Sequence, residues 1–193
     1  MADTWLLVGL GNPGELYERT RHNVGQMALD VLAERLGARF KAHKAGARVA
    51  EGRVVPGGPK LILAKPNSFM NLSGGPVSAL MSYASLPVDR LVVLHDELDI
   101  PFDTIKLKRG GGHGGHNGIR DIAKALDTPE FVRVRIGIGR PPGRMDVADF
   151  VLKEFSSTER AALPNLREDA ADAAEMVVAE GLEKTQLRFH TSA

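Results

Sequence analysis

The chain contains no cysteine, and that single absence removes disulfide staples, thiolate nucleophiles and cysteine-held zinc together. A reducing compartment agrees with it. No apolar run approaches the roughly 18 residues a membrane span needs, and residues 1–8 lack the basic start and small-residue cleavage site of a secretory signal. A cytoplasmic protein is expected. A G-x-S-x-G elbow is also missing, so Ser68 and Ser73 are not set up as nucleophiles and are expected instead to cap a helix or turn near residue 74. Internal repeats and low-complexity linkers are absent. The Gly/Pro-rich stretches at 56–59 and 110–118 are short enough for loops inside one unit. With 193 residues, 43% of them hydrophobic, a single domain spanning 1–193 with a sizeable core is expected.

Net charge is nearly zero, with 25 Lys and Arg against 24 Asp and Glu, but the charges are unevenly spread. Residues 101–144 hold nine basic and four acidic residues, a local balance of +5, whereas residues 146–184 hold four and ten, a balance of −6. The first region is suited to a polyanion and the second would repel one, unless each is only a solvated face.

What is present reads as an alternation of strands and helices. Apolar runs at 5–10, 60–64 and 91–95 predict buried strands, and helical spacing is found at 25–36, ending at Gly37, and near 75–85. In residues 131–139, Val132, Val134, Ile136 and Ile138 share one face of a strand and Arg133 and Arg135 the other. Residues 104–108 repeat the pattern, with Lys106 and Lys108 together. A last helix is expected over about 165–180, with Leu166, Ala170, Ala173 and Val177 as its apolar stripe, Glu168, Asp169, Asp172 and Glu175 as its acidic face, and Gly181 as its C-cap. This order predicts an α/β sheet with helices on both faces.

The stretch GLGNPG, residues 9–14, matches the glycine pattern that cradles a dinucleotide pyrophosphate, which also requires a second strand ending in Asp or Glu about 20 residues on. The acids at that distance, Asp30 and Glu34, fall inside a helical pattern. Pro13 suits a rigid turn that presents Asn12 at the carboxyl end of the first strand. A dinucleotide enzyme is therefore the weaker reading.

Four stretches carry polar groups that a plain core would not hold: Asn12 to His22, KPNSFMNLSG at 65–74, HDELD at 95–99 and GGGHGGHNG at 110–118. In an open α/β sheet all four can meet on one rim. That rim would contain two possible imidazole–carboxylate pairs, His22 with Asp96 and His95 with Asp99, and three amides, Asn12, Asn71 and Asn117. A histidine held by an aspartate but lacking a serine partner points to a base that activates water, with neutral amides to orient a carbonyl. The alternative is a metal site, from His113 and His116 or from His95, Asp96 and Asp99. The glycines around His113 and His116 leave that pair poorly organised for a metal.

Read together, GLGNPG…TRHN, KPNSFMNLSG, HDELD and GGGHGGHNG resemble, in order and spacing, bacterial-type peptidyl-tRNA hydrolases, and the resemblance extends through RVRIGIGRP and the C-terminal helix. It implies a cytoplasmic, monomeric, metal-independent esterase needing no cofactor, with a three-layer α/β/α fold around a mixed, mostly parallel sheet. The implied substrate is peptidyl-tRNA, cleaved at the ester between the peptide and the 3′ ribose, with no membrane or obligate protein partner. By the same resemblance, His22 is the general base, Asp96 holds and polarises it, and Asn12 reads the blocked amino group. Asn71, Asn117, Tyr17 and Phe69 hold the 3′ end and the first peptide unit, Met70 lines the cleft, and Lys108 and Arg135 grip acceptor-stem phosphates. Two positions depart from the pattern: Asp103 stands where glycine is common, and Arg140 stands where some relatives carry His, adding local positive charge. A noncatalytic tRNA-binding module and a metal-dependent phosphoesterase remain the alternatives.

Overall fold

The computed structural model describes residues 3–190. Seven strands, β1 (Thr4–Gly9), β2 (Lys41–His43), β3 (Ala47–Arg53), β4 (Lys60–Pro66), β5 (Leu91–Glu97), β6 (Ile105–Arg109) and β7 (Val132–Gly137), form one sheet in the order β2-β3-β4-β1-β5-β7-β6. The inner strands β4, β1, β5 and β7 run parallel. Both flanks are antiparallel. Strands covered on both faces need apolar side chains in both directions, which is why β1, β4 and β5 read as unbroken apolar runs.

The described helices are α1 (Val24–Leu36), α2 (Gly74–Tyr83), α3 (Asn117–Leu126), α4 (Val147–Val151), α5 (Ser157–Glu180) and α6 (Leu182–His190). Helices α1 and α5 pack on one sheet face around Leu7, Leu63, Leu94 and Val134, and α2 and α3 pack on the other around Leu6, Val8, Ile62 and Val93. Strand alternation thus divides neighbouring residues between two cores, giving three layers.

Several elements differ from the sequence expectation, each for a physical reason. The β2–β3 hairpin went unmarked because its short strands interleave charges such as Lys41, Arg48 and Glu51 with apolar residues, as sheet-edge strands do. Helix α5 begins at Ser157 because a capping box between Ser156 and Glu159 starts it, and it runs through Pro164. Helix α6 closes the other sheet edge: the Leu107 N–H donates to His190 Nε2 at 2.9 Å, and Gln186 Nε2 donates to the Leu107 carbonyl at 3.1 Å. The acidic face of α5 is partly neutralised within the fold. Arg35 of α1 pairs with Glu168, with Asp172 at 2.9 Å and with Glu175 at 3.2 Å.

Close packing at two glycines brings the start of α1 onto the strand ends. A Cβ at Gly25 would stand 2.2 Å from the Leu94 carbonyl oxygen, and one at Gly9 would stand 2.6 Å from the Gly25 oxygen. The turn Arg21–Asn23, which precedes α1, is thereby held over the end of β5. It is also tied outward, since Arg21 donates to the Phe150 carbonyl at 3.2 Å and pairs with Glu159 at 2.8 Å.

Candidate active site

After β1 the chain turns to α1 on one sheet face, and after β4, its neighbour, it turns to α2 on the other, so a crevice opens at the carboxyl ends of the central strands. A cavity of about 520 Å³ occupies it, lined by Asn12, His22, Met70, Asn71, Asp96, His116 and Asn117. All four polar stretches meet there. Asp146, Val147, Ala148, Val151 and Leu152, in and beside α4, contribute a largely apolar wall with one acid.

Asp96 is the hub. Its carboxylate is buried, 3% exposed, and its two oxygens lie 2.8 Å from His22 Nδ1 and 2.8 Å from His116 Nε2. The tautomer of His116 is set by its other nitrogen: Nδ1 accepts from the backbone N–H groups of Gly118 (3.1 Å) and Ile119 (3.3 Å), capping α3, so Nε2 carries the hydrogen. His22 likewise donates through Nδ1. Its Nε2 keeps a free lone pair, with no partner among the described residues and not closed off from solvent.

Burial opposes the charged form of His22, but the Asp96 carboxylate, by charge and by hydrogen bond, outweighs it and raises the pKa above the ordinary 6.5. For Asp96, burial alone would raise the pKa; His22 and His116 together reverse this and hold its carboxyl well below the usual carboxylate range. The carboxylate is therefore a permanent anion under two imidazoles.

Of the two expected pairs only His22–Asp96 forms. His95 lies on the opposite strand face from Asp96, donates through Nδ1 to the Asp96 carbonyl at 2.8 Å, and stacks edge-on beneath His116 at 4.8 Å. Burial, with the His116 ring beside it, pushes its pKa down to about 3, which keeps it neutral. Asp99 is exposed and pairs with Arg140, Oδ1 to Nε at 2.9 Å, so the charge that Arg140 was expected to add is offset locally. Among the described residues, His95, Asp96 and Asp99 do not form a group of metal ligands, and both ring nitrogens of His116 are already engaged, Nδ1 by the start of α3 and Nε2 by Asp96. Ligand atoms of His22, Asp96 and His116 do lie within 4.8 Å of one another, but the inward nitrogens of both histidines carry hydrogens directed at Asp96, so they offer no lone pair to a cation.

Asn12, 8% exposed, accepts the Met70 N–H at its Oδ1, 2.7 Å away. That bond settles which end of the carboxamide is free: Nδ2, a donor, is left for the cavity. The glycines of GLGNPG make this turn possible, Gly14 adopting φ 101°, and α1 starts only at Val24, so no helix N-terminus stands at the loop to receive a pyrophosphate.

The sequence model of the family described as peptidyl-tRNA hydrolase matches residues 6–193. A peptidyl-tRNA hydrolase of Arthrobacter sp. (strain FB24) is 62% identical over 192 residues, covering 100% of this chain and 99% of that one. The chain belongs to the peptidyl-tRNA hydrolase family. Another relative, from Kineococcus radiotolerans, is 60% identical with 100% of each chain covered. The crystal structure of a peptidyl-tRNA hydrolase from Acinetobacter baumannii superposes with a TM-score of 0.90 at 34% identity, covering 99% of this chain and 96% of that one. The mixed α/β/α fold expected of such a hydrolase is the fold observed.

For a peptidyl-tRNA hydrolase, the remaining expected residues fall into two groups. Tyr17 and Phe69 do not line the cavity; they meet edge to face at 6.1 Å beside it, next in chain to Met70 in the case of Phe69. Lys108 and Arg135 lie on β6 and β7, away from the cavity lining. Partial burial and the nearby guanidinium groups of Arg135 and Arg133 lower the Lys108 pKa, which marks a crowded cation cluster. Arg133 itself is 2% exposed and braces the glycine loop, donating to the carbonyls of Gly112 (2.6 Å), Gly111 (3.1 Å) and Pro129 (3.1 Å). The departure at Asp103 is legible in the backbone: its φ of 65° is the left-handed conformation that glycine adopts most easily.

Sequence reading missed His116 as a partner of Asp96, Asn23 beneath Asn12, and the α4 wall. Only the first two had a signal, their place in the motifs GGHN and TRHN. Ser68 and Ser73 brace the turn before α2 as donors to the carbonyls of Leu72 (2.9 Å) and Met70 (2.7 Å) rather than as caps. The first N–H of α2, at Gly74, is instead taken by Asp121 of α3 at 2.7 Å.

Proposed function

We propose that this cleft carries out the peptidyl-tRNA hydrolysis of its family with His22 as general base, acting on peptidyl-tRNA free of the ribosome and returning tRNA to use. One observation carries the reading: Asp96 fixes the His22 Nδ1–H, so the unpartnered Nε2 faces the cavity as a proton acceptor. Water held between Nε2 and the ester carbon loses a proton to His22 as its oxygen bonds to the acyl carbon. Asp96 stabilises the imidazolium that forms. The tetrahedral intermediate then collapses, the ribose oxygen leaving with the proton returned by His22, and the products are a peptide carboxylate and a free 3′ hydroxyl.

Asn12 Nδ2 donates to the carbonyl that acylates the substrate's α-nitrogen. A free aminoacyl ester has no such carbonyl and turns an ammonium toward a donor, so it is rejected. Asn71 and Asn117 orient the ester and the 3′ end, with Tyr17, Phe69 and Met70 providing apolar contact surface. Lys108 and Arg135 attract acceptor-stem phosphates, contacts that position without reading sequence. The whole chain acts as one monomeric unit in the cytoplasm, with water, the imidazole and the amides as its chemical equipment.

The test is incubation with N-acetyl-aminoacyl-tRNA and with its unblocked counterpart, both with chelator present. Release from the blocked ester alone is expected, and His22→Ala lowers its rate by at least ~10²-fold, the scale of a positioned general base. Loss of activity on chelation points to a metal-dependent esterase, and near-wild-type hydrolysis by His22→Ala refutes the mechanism.

A further inference from the structure

We propose that Asn23 is a positioning residue that sets the discrimination between blocked and free amino groups, by gripping both backbone polar groups of Asn12. The proposal rests on the role given to Asn12 above. Asn23 is 1% exposed and closes the turn that carries His22. Its Oδ1 accepts the Asn12 N–H at 2.9 Å and its Nδ2 donates to the Asn12 carbonyl at 2.9 Å. This is the two-bond pairing that a neighbouring strand supplies inside a sheet, here made by one side chain just past the end of β1.

Space for the carboxamide comes from Gly11, where a Cβ would stand 2.6 Å from Asn23 Cγ. Asparagine is the residue the geometry requires. Aspartate has two acceptors and no donor and would bury a charge, while leucine of similar size would leave an N–H and a carbonyl of Asn12 without partners.

The clamp bears on function because it decides which atom Asn12 shows to substrate. With the backbone held by Asn23 and Oδ1 held by the Met70 N–H, only Nδ2 is available to the cavity. Release of the backbone lets the carboxamide turn and show its oxygen, which accepts from an ammonium. Selectivity then falls along with rate. The side-chain hydrogen bond of His22 is made to Asp96 and not to Asn23, so the clamp has no direct bond through which to move the pH dependence of His22.

The experiment measures kcat/KM on blocked and unblocked aminoacyl-tRNA for wild type, Asn23→Leu, Asn23→Asp and Gly11→Ala, with thermal melts and pH profiles. Asn23→Leu is expected to lower kcat/KM on the blocked ester by about tenfold or more, the consequence of two unpaired buried groups, and to lower the blocked-to-free ratio comparably. Its acid limb stays at the wild-type position. Gly11→Ala, which crowds the carboxamide without removing it, moves the ratio in the same direction. Asn23→Asp behaves like Asn23→Leu at high pH and recovers relative to wild type as pH falls, because a protonated carboxyl again offers one donor and one acceptor. An unchanged ratio, with rate falling only in step with melting temperature, overturns the proposal, and so does an Asn23→Asp profile parallel to wild type at every pH. Should wild type cleave both esters equally, the reading of Asn12 fails and takes this proposal with it; that outcome is visible before any variant is made.

Discussion

Replacing Asp96 with asparagine tests the site at its hub, and the hydrogen-bond pattern dictates the outcome atom by atom. The asparagine has one acceptor and one donor where the carboxylate has two acceptors. His116 cannot change its tautomer cheaply, because Gly118 and Ile119 donate to its Nδ1; its Nε2–H therefore claims Oδ1 of the new side chain. The amide NH₂ then faces His22 Nδ1, donor against donor. His22 escapes by moving its hydrogen to Nε2, which converts the lone pair facing the cavity into an N–H and abolishes the base. The same acid-to-amide exchange in serine hydrolases costs about 10⁴-fold in turnover through the wrong tautomer, roughly 5 kcal/mol.

We expect Asp96→Asn to lose between ~10² and ~10⁴ of kcat with a native circular dichroism spectrum. The pH profile supplies a second reading. In wild type, activity requires neutral His22, whose pKa is raised, so kcat/KM climbs with pH through a value above 6.5 and then levels. In the variant the attraction that raised the pKa is gone while burial remains, so the residual activity has its acid limb at lower pH. Steady-state hydrolysis of N-acetyl-aminoacyl-tRNA between pH 5 and 9, with nitrogen NMR of the imidazoles to identify the tautomer, measures both. A plateau within tenfold of wild type, or an acid limb that does not move, would show that Asp96 neither fixes the tautomer nor charges the base.

Two further outcomes are expected. Lys108→Ala and Arg135→Ala each weaken tRNA binding and reduce the slope of log K against log salt by about 0.7–0.9, one released counterion per lost phosphate contact; filter binding across a salt series measures it, and an unchanged slope would mean that these residues are only solvated. Asp121→Ala removes the carboxylate that accepts from the Gly74 N–H, so it costs about 1 kcal/mol and some 2–4 °C in melting temperature. Turnover per folded molecule stays near wild type, and a large fall in kcat at unchanged stability would place Asp121 in the chemistry instead.

Much of the fold was legible because its signals are local. Apolar runs located β1, β4 and β5, helical spacing located α1 and α2, and Val132 and Arg133 separated the two faces of β7. The edges were less legible. In β2 and β3, and in α6, charged residues interrupt the periodicity, and what stabilises these elements is their docking on a neighbour, as when Gln186 and His190 satisfy the backbone of Leu107. The start of α5 was readable in principle from Ser156 and Glu159, but Pro164 argued against continuing the helix through it.

From its sequence alone this chain reveals which side chains have chemistry to offer, since residue type and motif spacing are properties of the polymer: a histidine and acids on strand ends, amides in turns, glycines where backbones must approach. Pairing was decided by tertiary structure. Asp96 serves His22 because it shares a strand face with Leu94 and Val92, the face that α1 covers, whereas His95 points to the other. Which face is covered by which helix depends on the order β4-β1-β5, a long-range arrangement that no local window contains. Tautomers and free lone pairs are then set by who donates to whom across those contacts.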